Sequence, residues 1–148
     1  MATENIKFKL ELFSTYWDKA PTCEILINNI SGVIHTELKN YKQSILQYEQ
    51  LLHIGSNVFQ IYFNIATCYF KSDNFNKAIE YYLKTIELRP NDAHAYNNLG
   101  NSYKEIKNYS KAINAFQNAI ILKPDYASAH YNICLLYTSD AADERSSV

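Results

Sequence analysis

The sequence predicts an all-α fold, a solenoid of antiparallel helix pairs with about three repeats and one additional N-terminal helix. Three observations favour it. The 148-residue chain aligns with itself when shifted by 34 residues, apolar residues within each unit recur at helical spacing, and prolines close two of the units. A period of this length is typical of arrays in which each unit is a helical hairpin that stacks on the next.

The composition excludes several classes of protein before any motif is considered. Hydrophobic residues make up 47% and charged residues 20%, and the formal net charge is −1, which argues against a basic nucleic-acid binder. The three cysteines are too scattered for a disulfide framework, so we expect a reducing, cytoplasmic setting. No apolar run is long enough to cross a bilayer, and three dispersed glycines do not form a phosphate-binding loop. We therefore expect no nucleic-acid partner, no membrane contact and no cofactor.

The internal alignment pairs similar residues throughout the unit. The motif Lys39-Asn40-Tyr41 recurs as Asp73-Asn74-Phe75 and as Lys107-Asn108-Tyr109. One aromatic position repeats through the three units, as Tyr48, Tyr82 and Phe116. This many matches at one spacing indicate a true repeat.

The units resemble the tetratricopeptide repeat, which implies a right-handed superhelix with a concave face. Unit 93–126 carries every marker of the family: Tyr96, Leu99, Gly100, Tyr103, Ala112, Phe116, Ala119 and Pro124. Unit 59–92 departs at Thr85, where alanine is usual, and unit 25–58 is degenerate. The first helix of unit 25–58 also fits with a slip of one residue, because Asn29-Ile30-Ser31 can align with Asn64-Ile65-Ala66.

The repeat pattern fixes the expected helices at about 25–37, 41–54, 59–71, 75–88, 93–105 and 109–122, with a further helix from 127. Asp92 and Asp125 are predicted N-caps, since each follows a helix-ending proline. Gly100 is small because the second helix of its pair must approach closely there, and Ala112 is expected to be a matching small residue.

The two ends of the chain carry separate expectations. Residues 1–24 predict a helix over about 4–19, interpreted as a cap on the array, with a decayed repeat as the alternative. Residues 127–133 begin a fourth unit. Residues 134–148 resemble the in-frame translation of a sequencing adapter, so we expect natural sequence to end near Ile133 and the chain to be truncated.

Neither catalytic nor metal-ligating residues are predicted. The chain lacks the glycine-serine and glycine-lysine motifs of hydrolases and nucleotide-binding proteins. His35 occupies a packing position and Cys68 lies beside the packing stripe, so both are interpreted as core residues. We therefore expect a segment without enzymatic activity.

The candidate binding residues lie on the first helix of each pair, opposite its packing stripe. They are Gln60, Phe63, Asn64, Lys71, His94, Asn97, Asn98, Asn101 and Lys104. Asn64, Asn98 and Asn132 share one register and resemble the peptide-binding asparagine ladder of the O-GlcNAc transferase superhelix, although asparagine is common here throughout the family. An asparagine amide both donates and accepts, so it can bind the backbone of an extended peptide. The carboxylate clamp of the family is matched only in part, by Asn97 and Asn101.

The sequence therefore predicts a protein–protein interaction module that binds a peptide or partner protein on its concave face. One alternative is that the segment is the N-terminal substrate-recruiting array of a larger, truncated enzyme, such as a glycosyltransferase or sulfotransferase. Self-association through the apolar edge at the truncated C-terminal end is a further expectation.

Overall fold

The computed structural model describes residues 21–54 and 58–146, with side chains over 28–52 and 58–138. This part of the chain contains seven α-helices and no strand. They are α1 (Pro21–Glu37), α2 (Tyr41–Ile54), α3 (Val58–Lys71), α4 (Phe75–Leu88), α5 (Ala93–Glu105), α6 (Tyr109–Leu122) and α7 (Ala127–Ser146). The predicted all-α fold is confirmed.

The helix bounds from α2 to α6 agree with the sequence prediction to within one residue, and α7 begins where expected. By contrast, α1 begins at Pro21, four residues earlier than predicted. Proline suits the first turn of a helix, where a backbone N–H would have no helical acceptor. The helix predicted over 4–19 lies outside the described residues. Because α7 continues to Ser146, it includes most of the segment 134–148, whose suspected adapter origin stays a prediction.

Consecutive helices pack against each other along the whole chain, which produces a stack of helix pairs. The pairs are α1–α2, α3–α4 and α5–α6, and α7 packs on α6. The first helices of neighbouring pairs also contact each other, α3 with α5 and α5 with α7. Between α2, α4 and α6, no comparable contact is found in the described residues. The first helices therefore converge on the inner side of the solenoid, and the second helices lie on its outer side.

The turns inside the pairs repeat one conformation. Lys39, Asp73 and Lys107 have left-handed backbones, with φ of 58°, 60° and 60°. In each turn the next residue is an asparagine whose N–H donates to a carbonyl five residues earlier, a closure typical of helix C-termini. The asparagine motif that revealed the repeat therefore ends one helix and leads into the next.

Glycine marks the closest approach of the helices in two pairs. A Cβ on Gly100 would lie 2.6 Å from Phe116 Cε1, and one on Gly32 would lie 2.7 Å from Tyr48 Cε1. The same glycine–aromatic contact therefore recurs after two repeat periods, which places α1 in register with α5. The one-residue slip considered for the first unit is wrong. The close approach of the two helices predicted at Gly100 is confirmed. The three atoms nearest to a Cβ at Gly100 all belong to the ring of Phe116. Ala112, the small residue expected on the same helix, is fully buried.

The core consists of three clusters, centred on the buried rings of Tyr48, Tyr82 and Phe116. Each ring is at most 2% exposed, so the repeated aromatic position is a packing position. Cys68 is fully buried, as predicted, with its Sγ 3.2 Å from Ser44 Oγ. His35 is half-buried, and its Nδ1 lies in the interior.

One of the two predicted N-caps is present. Asp92 Oδ1 accepts from the backbone N–H groups of His94, at 3.0 Å, and Ala95, at 3.2 Å. The prediction for Asp125 is wrong, because α7 begins at Ala127 and Tyr126 occupies the N-cap position. The repeat period explains the difference, since the residue equivalent to Asp92 is Tyr126.

The substitution Asp92→Ala is expected to lower the free energy of unfolding by about 1 kcal/mol. Two N–H groups would lose their acceptor, and the positive end of α5 would lose a carboxylate. Urea unfolding followed by circular dichroism measures the loss. Asp125→Ala is the matched control, because it removes a carboxylate just outside the N-cap position. Equal losses in the two variants would contradict the assignment of the cap.

Candidate functional site

A cleft of about 210 Å³ lies between α3 and α5 on the inner side of the solenoid. Its lining residues come from three helices and are Thr67, Phe70, Lys71, Tyr82, Asn98 and Asn101. Tyr82 belongs to the outer helix α4 and is 1% exposed, so it lies behind the inner helices. Three of the residues predicted from sequence, Lys71, Asn98 and Asn101, therefore meet in one cleft.

The predicted residues on the first half of α3 do not line this cleft, and two of them contact each other. Gln60 is exposed, and its Nε2 donates to Asn64 Oδ1 at 3.2 Å. Phe63 is half-buried and packs edge-to-face on Tyr82, with ring centroids 5.7 Å apart. Phe63 is therefore partly a core residue, although the sequence assigned it to the binding face.

The remaining predicted residues of α5 have separate environments. His94 is exposed, with its Nδ1 2.9 Å from the hydroxyl of Tyr126. Lys104 Nζ donates to Asn132 Oδ1 at 3.3 Å, so this ammonium group is directed towards α7. Asn97 is only 5% exposed, which contradicts its predicted place on the open face. On the inner side, α5 contacts both α3 and α7. Part of its inner face is therefore covered by these neighbouring helices.

The three asparagines of the predicted ladder are each held by a different neighbour. Asn64 Oδ1 accepts from Gln60 Nε2 at 3.2 Å, and Asn98 Oδ1 accepts from Asn97 Nδ2 at 3.4 Å. Asn132 Oδ1 accepts from Lys104 Nζ at 3.3 Å. The three asparagines therefore have different hydrogen-bond partners, and of the three only Asn98 lines the cleft.

Two tyrosines behind the inner face have strongly perturbed acidities. Burial raises the pKa of Tyr82 to about 12, while the hydrogen bond with Thr67 and the nearby amide of Asn98 act in the opposite direction. Burial likewise raises the pKa of Tyr48 to about 12, with a smaller contribution from Cys68, and the polar side chains of Thr36 and Asn64 act in the opposite direction. Desolvation disfavours a phenolate, so both hydroxyls stay neutral at physiological pH and can donate and accept.

Other kinds of site have little support in the described part of the chain. There, no three His, Cys, Asp or Glu side chains are grouped so that they could hold a metal ion. His130 and Cys134 are four residues apart on α7, a spacing that metal sites use, but His130 Nε2 lies 2.8 Å from the carbonyl oxygen of Pro124 and donates to it. None of the described helices is both long and apolar enough to cross a membrane.

Sequence reasoning did not predict that Tyr82 lines the cleft. The repeat pattern assigned Tyr82 to the core, which is correct for its ring. A signal was present in the sequence, because the equivalent residue in the next unit is Phe116. Packing at this position therefore needs an aromatic ring but no hydroxyl.

Fold and cleft together define a class of protein: a helical-repeat solenoid whose inner helices present a recessed polar and aromatic surface. Residues 57–122 match the family model described as tetratricopeptide repeat, so the resemblance inferred from the motifs is confirmed over this range. A comparison with curated proteins found no match.

Solved structures support the same architecture. MamA from residue 41 onward, of Desulfovibrio magneticus RS-1, is 19% identical, with 93% of this chain and 76% of that chain covered and a TM-score of 0.74. The first TPR domain of Spaghetti (RPAP3), bound to the HSP90 peptide SRMEEVD, is 17% identical, with 80% and 94% covered and a TM-score of 0.74. The second TPR domain of human RPAP3, in complex with the HSP70 peptide SGPTIEEVD, is 18% identical, with 80% and 98% covered and a TM-score of 0.72. At these identities the likeness shows the fold.

Proposed function

We propose that this protein-interaction module binds an extended peptide segment of a partner protein in the inner cleft between α3 and α5. The observation that carries the proposal is the cleft itself, where an aromatic wall, two amides and one ammonium group meet. Two of the similar structures contain bound peptides, which supports a peptide as the class of ligand.

The lining of the cleft suits a peptide backbone together with one side chain. Asn98 and Asn101 are half-buried and can each donate to a carbonyl and accept from an amide N–H. Phe70 is held by an edge-to-face contact with Phe75, at 5.5 Å between centroids, and offers an apolar wall. Lys71 is exposed at the end of α3 and can meet an acidic group.

The size of the cleft favours a peptide over a small-molecule ligand. At about 210 Å³ it is smaller than the roughly 300–1,000 Å³ of typical small-molecule pockets. A peptide can place one residue in such a cleft and continue along the inner face towards Gln60 and Lys104. The binding surface proposed here is therefore the cleft with its extension along α3 and α5.

The other expectations drawn from the sequence have less support. The alternative, a substrate-recruiting arm of a larger enzyme, is not supported by the fold or by the similar structures. Self-association stays a prediction. The exposed side chains of Tyr131, Leu135 and Tyr137 on α7 are consistent with it. The cytoplasmic location also stays a prediction.

The test begins with selection of short random peptides displayed on phage. An enriched peptide is synthesised with both ends blocked, labelled with fluorescein and titrated with the protein. Asn98→Ala combined with Asn101→Ala is expected to weaken binding about 30-fold, since two hydrogen bonds of about 1 kcal/mol each are lost. Helicity by circular dichroism should not change, because both side chains line an open cleft.

The matched control replaces two asparagines on the outer side of the solenoid. Asn114 and Asn118 are exposed on α6, so Asn114→Ala with Asn118→Ala should leave the affinity unchanged. Equal affinity of the two double variants for every enriched peptide would contradict binding in the cleft.

A further inference from the structure

We propose that two copies of this chain associate through a groove along α2, with their α2 helices antiparallel and related by a two-fold axis. This α2 groove has a volume of about 700 Å³ and is bounded by α2, by the end of α3 and by the turn before α4. Its lining residues are Tyr41, Lys42, Gln43, Ile45, Leu46, Glu49, Tyr69, Ser72 and Asn74. The α2 groove shares no lining residue with the inner cleft, so the proposal does not depend on the proposed function.

One stripe of α2 follows the groove and carries charges of opposite sign at its two ends. Lys42, Leu46 and Glu49 are spaced i, i+4 and i+7, which places them on one side of the helix. The two charged residues are about 10 Å apart along the helix axis. Within the described part of the chain neither of them forms an ion pair, since the pair found there joins Lys84 and Glu80. Both ends of the stripe can therefore meet groups of opposite charge.

The order of the residues makes this stripe complementary to itself. In an antiparallel pair of α2 helices that is symmetric about the peptide bond between Ile45 and Leu46, each Lys42 faces Glu49 of the other copy. A two-fold contact has this reciprocity, because the same surface patch is used by both copies. One arrangement thus forms two ion pairs around an apolar centre.

The apolar centre offers both a projecting side chain and a recess. Leu46 is 47% exposed and projects from α2. Beside it, the recess is lined by the half-buried side chains of Tyr41, Ile45 and Tyr69. Leu46 of each copy can enter the groove of the other copy, which removes apolar surface from water on both sides.

Packing within the solenoid does not account for this stripe. The equivalent residues are different in the two later units, where they are Asn76, Glu80 and Leu83 on α4 and Ser110, Asn114 and Gln117 on α6. All three second helices pack on their first helices, yet the order lysine, leucine, glutamate occurs only on α2 among them. The stripe therefore serves a contact that is specific to this end of the array.

The contact is small, so we expect a weak and reversible dimer. The groove is lined by nine residues, whereas a standard interface uses roughly 20–30 residues on each side. Sedimentation velocity of the full chain over a wide range of protein concentration is expected to show an equilibrium between monomer and dimer. A chain that stays monomeric at every concentration would overturn the proposal, and would leave the groove to another protein or to a segment of the same chain.

Charge reversal tests the antiparallel arrangement. Lys42→Glu and Glu49→Lys are each expected to weaken dimerisation about 30-fold, because both symmetry-related contacts change from attractive to repulsive. An equimolar mixture of the two variants should form a heterodimer about as stable as the original dimer, since every charged contact again joins opposite signs. Circular dichroism checks that both variants fold. A mixture that dimerises no better than the separate variants would overturn the arrangement.

Truncation of Leu46 tests the apolar centre. Leu46→Ala is expected to weaken dimerisation about tenfold, because both copies lose the projecting side chain. Leu83→Ala is the matched control, since Leu83 on α4 is 46% exposed and lies outside the groove. Equal dimerisation of these two variants would overturn the proposal. So would a dimer that is lost in Tyr131→Ala with Leu135→Ala but persists in Leu46→Ala, because it would assign the contact to α7.

Discussion

Phe116→Ala is expected to lower the free energy of unfolding by about 3–5 kcal/mol. The ring of Phe116 is fully buried and fills the space opposite Gly100, which has no side chain that could take its place. Three of the other four buried residues in its cluster are alanines, at Ala112, Ala119 and Ala129. Short side chains cannot extend into the space left by the ring, so most of the cavity would persist.

Urea unfolding monitored by circular dichroism measures this loss. Ile121→Ala is the control on the same helix, because Ile121 is 75% exposed and its truncation should change the stability by less than about 0.5 kcal/mol. Should Phe116→Ala leave too little folded protein to measure, Phe116→Leu is expected to retain the fold with a smaller loss. A stability of Phe116→Ala equal to that of Ile121→Ala would contradict the packing described for α5 and α6.

Raising the pH from 10 to 12 is expected to destabilise the fold through its buried tyrosines. The pKa of Tyr82 rises from 10.0 to about 12 on folding because burial disfavours the phenolate. Below pH 10 the phenol is protonated in both states, and its stabilising effect is complete. Between pH 10 and pH 12 the unfolded chain releases the proton more readily than the folded chain, so stability falls as the pH rises. The loss attributable to Tyr82 between pH 10 and pH 12 is about 2 kcal/mol.

Urea unfolding at pH 10 and at pH 12 tests this expectation. Tyr82→Phe should show a smaller loss of stability between these two pH values, because phenylalanine does not ionise. Tyr131→Phe removes a hydroxyl that is exposed on α7 and should leave the pH dependence as it is in the original protein. If both variants lose as much stability as the original protein, burial of the Tyr82 hydroxyl does not govern the effect.

The sequence predicts the helices well because strong local signals mark their ends. An asparagine after each left-handed turn residue leads into the second helix of each pair, and Pro90 and Pro124 follow α4 and α6. The misplaced cap at Asp125 has a simple cause. The prediction looked for an acidic residue after the proline, whereas the repeat period places Tyr126 at the N-cap position.

The candidate site was predictable only in part. Helical spacing places Lys71, Asn98 and Asn101 on the inner face, and the structure brings them together because α3 contacts α5. Burial of Asn97 depends on how closely α5 is flanked by its two neighbours, which the pattern of a single helix does not contain. The Tyr82 hydroxyl lies 3.2 Å from Thr67 Oγ1, and this contact between two helices is likewise not contained in the pattern of a single helix.

The central claim is that a peptide binds in the cleft between α3 and α5. The most direct measurement is a ¹H–¹⁵N titration of the protein with an enriched peptide, in which the side-chain amides of all asparagines are followed. We expect the largest changes at Asn98 and Asn101 and none at Asn114 and Asn118 on the outer side. Binding that perturbs Asn114 and Asn118 while Asn98 and Asn101 stay unchanged would contradict the account.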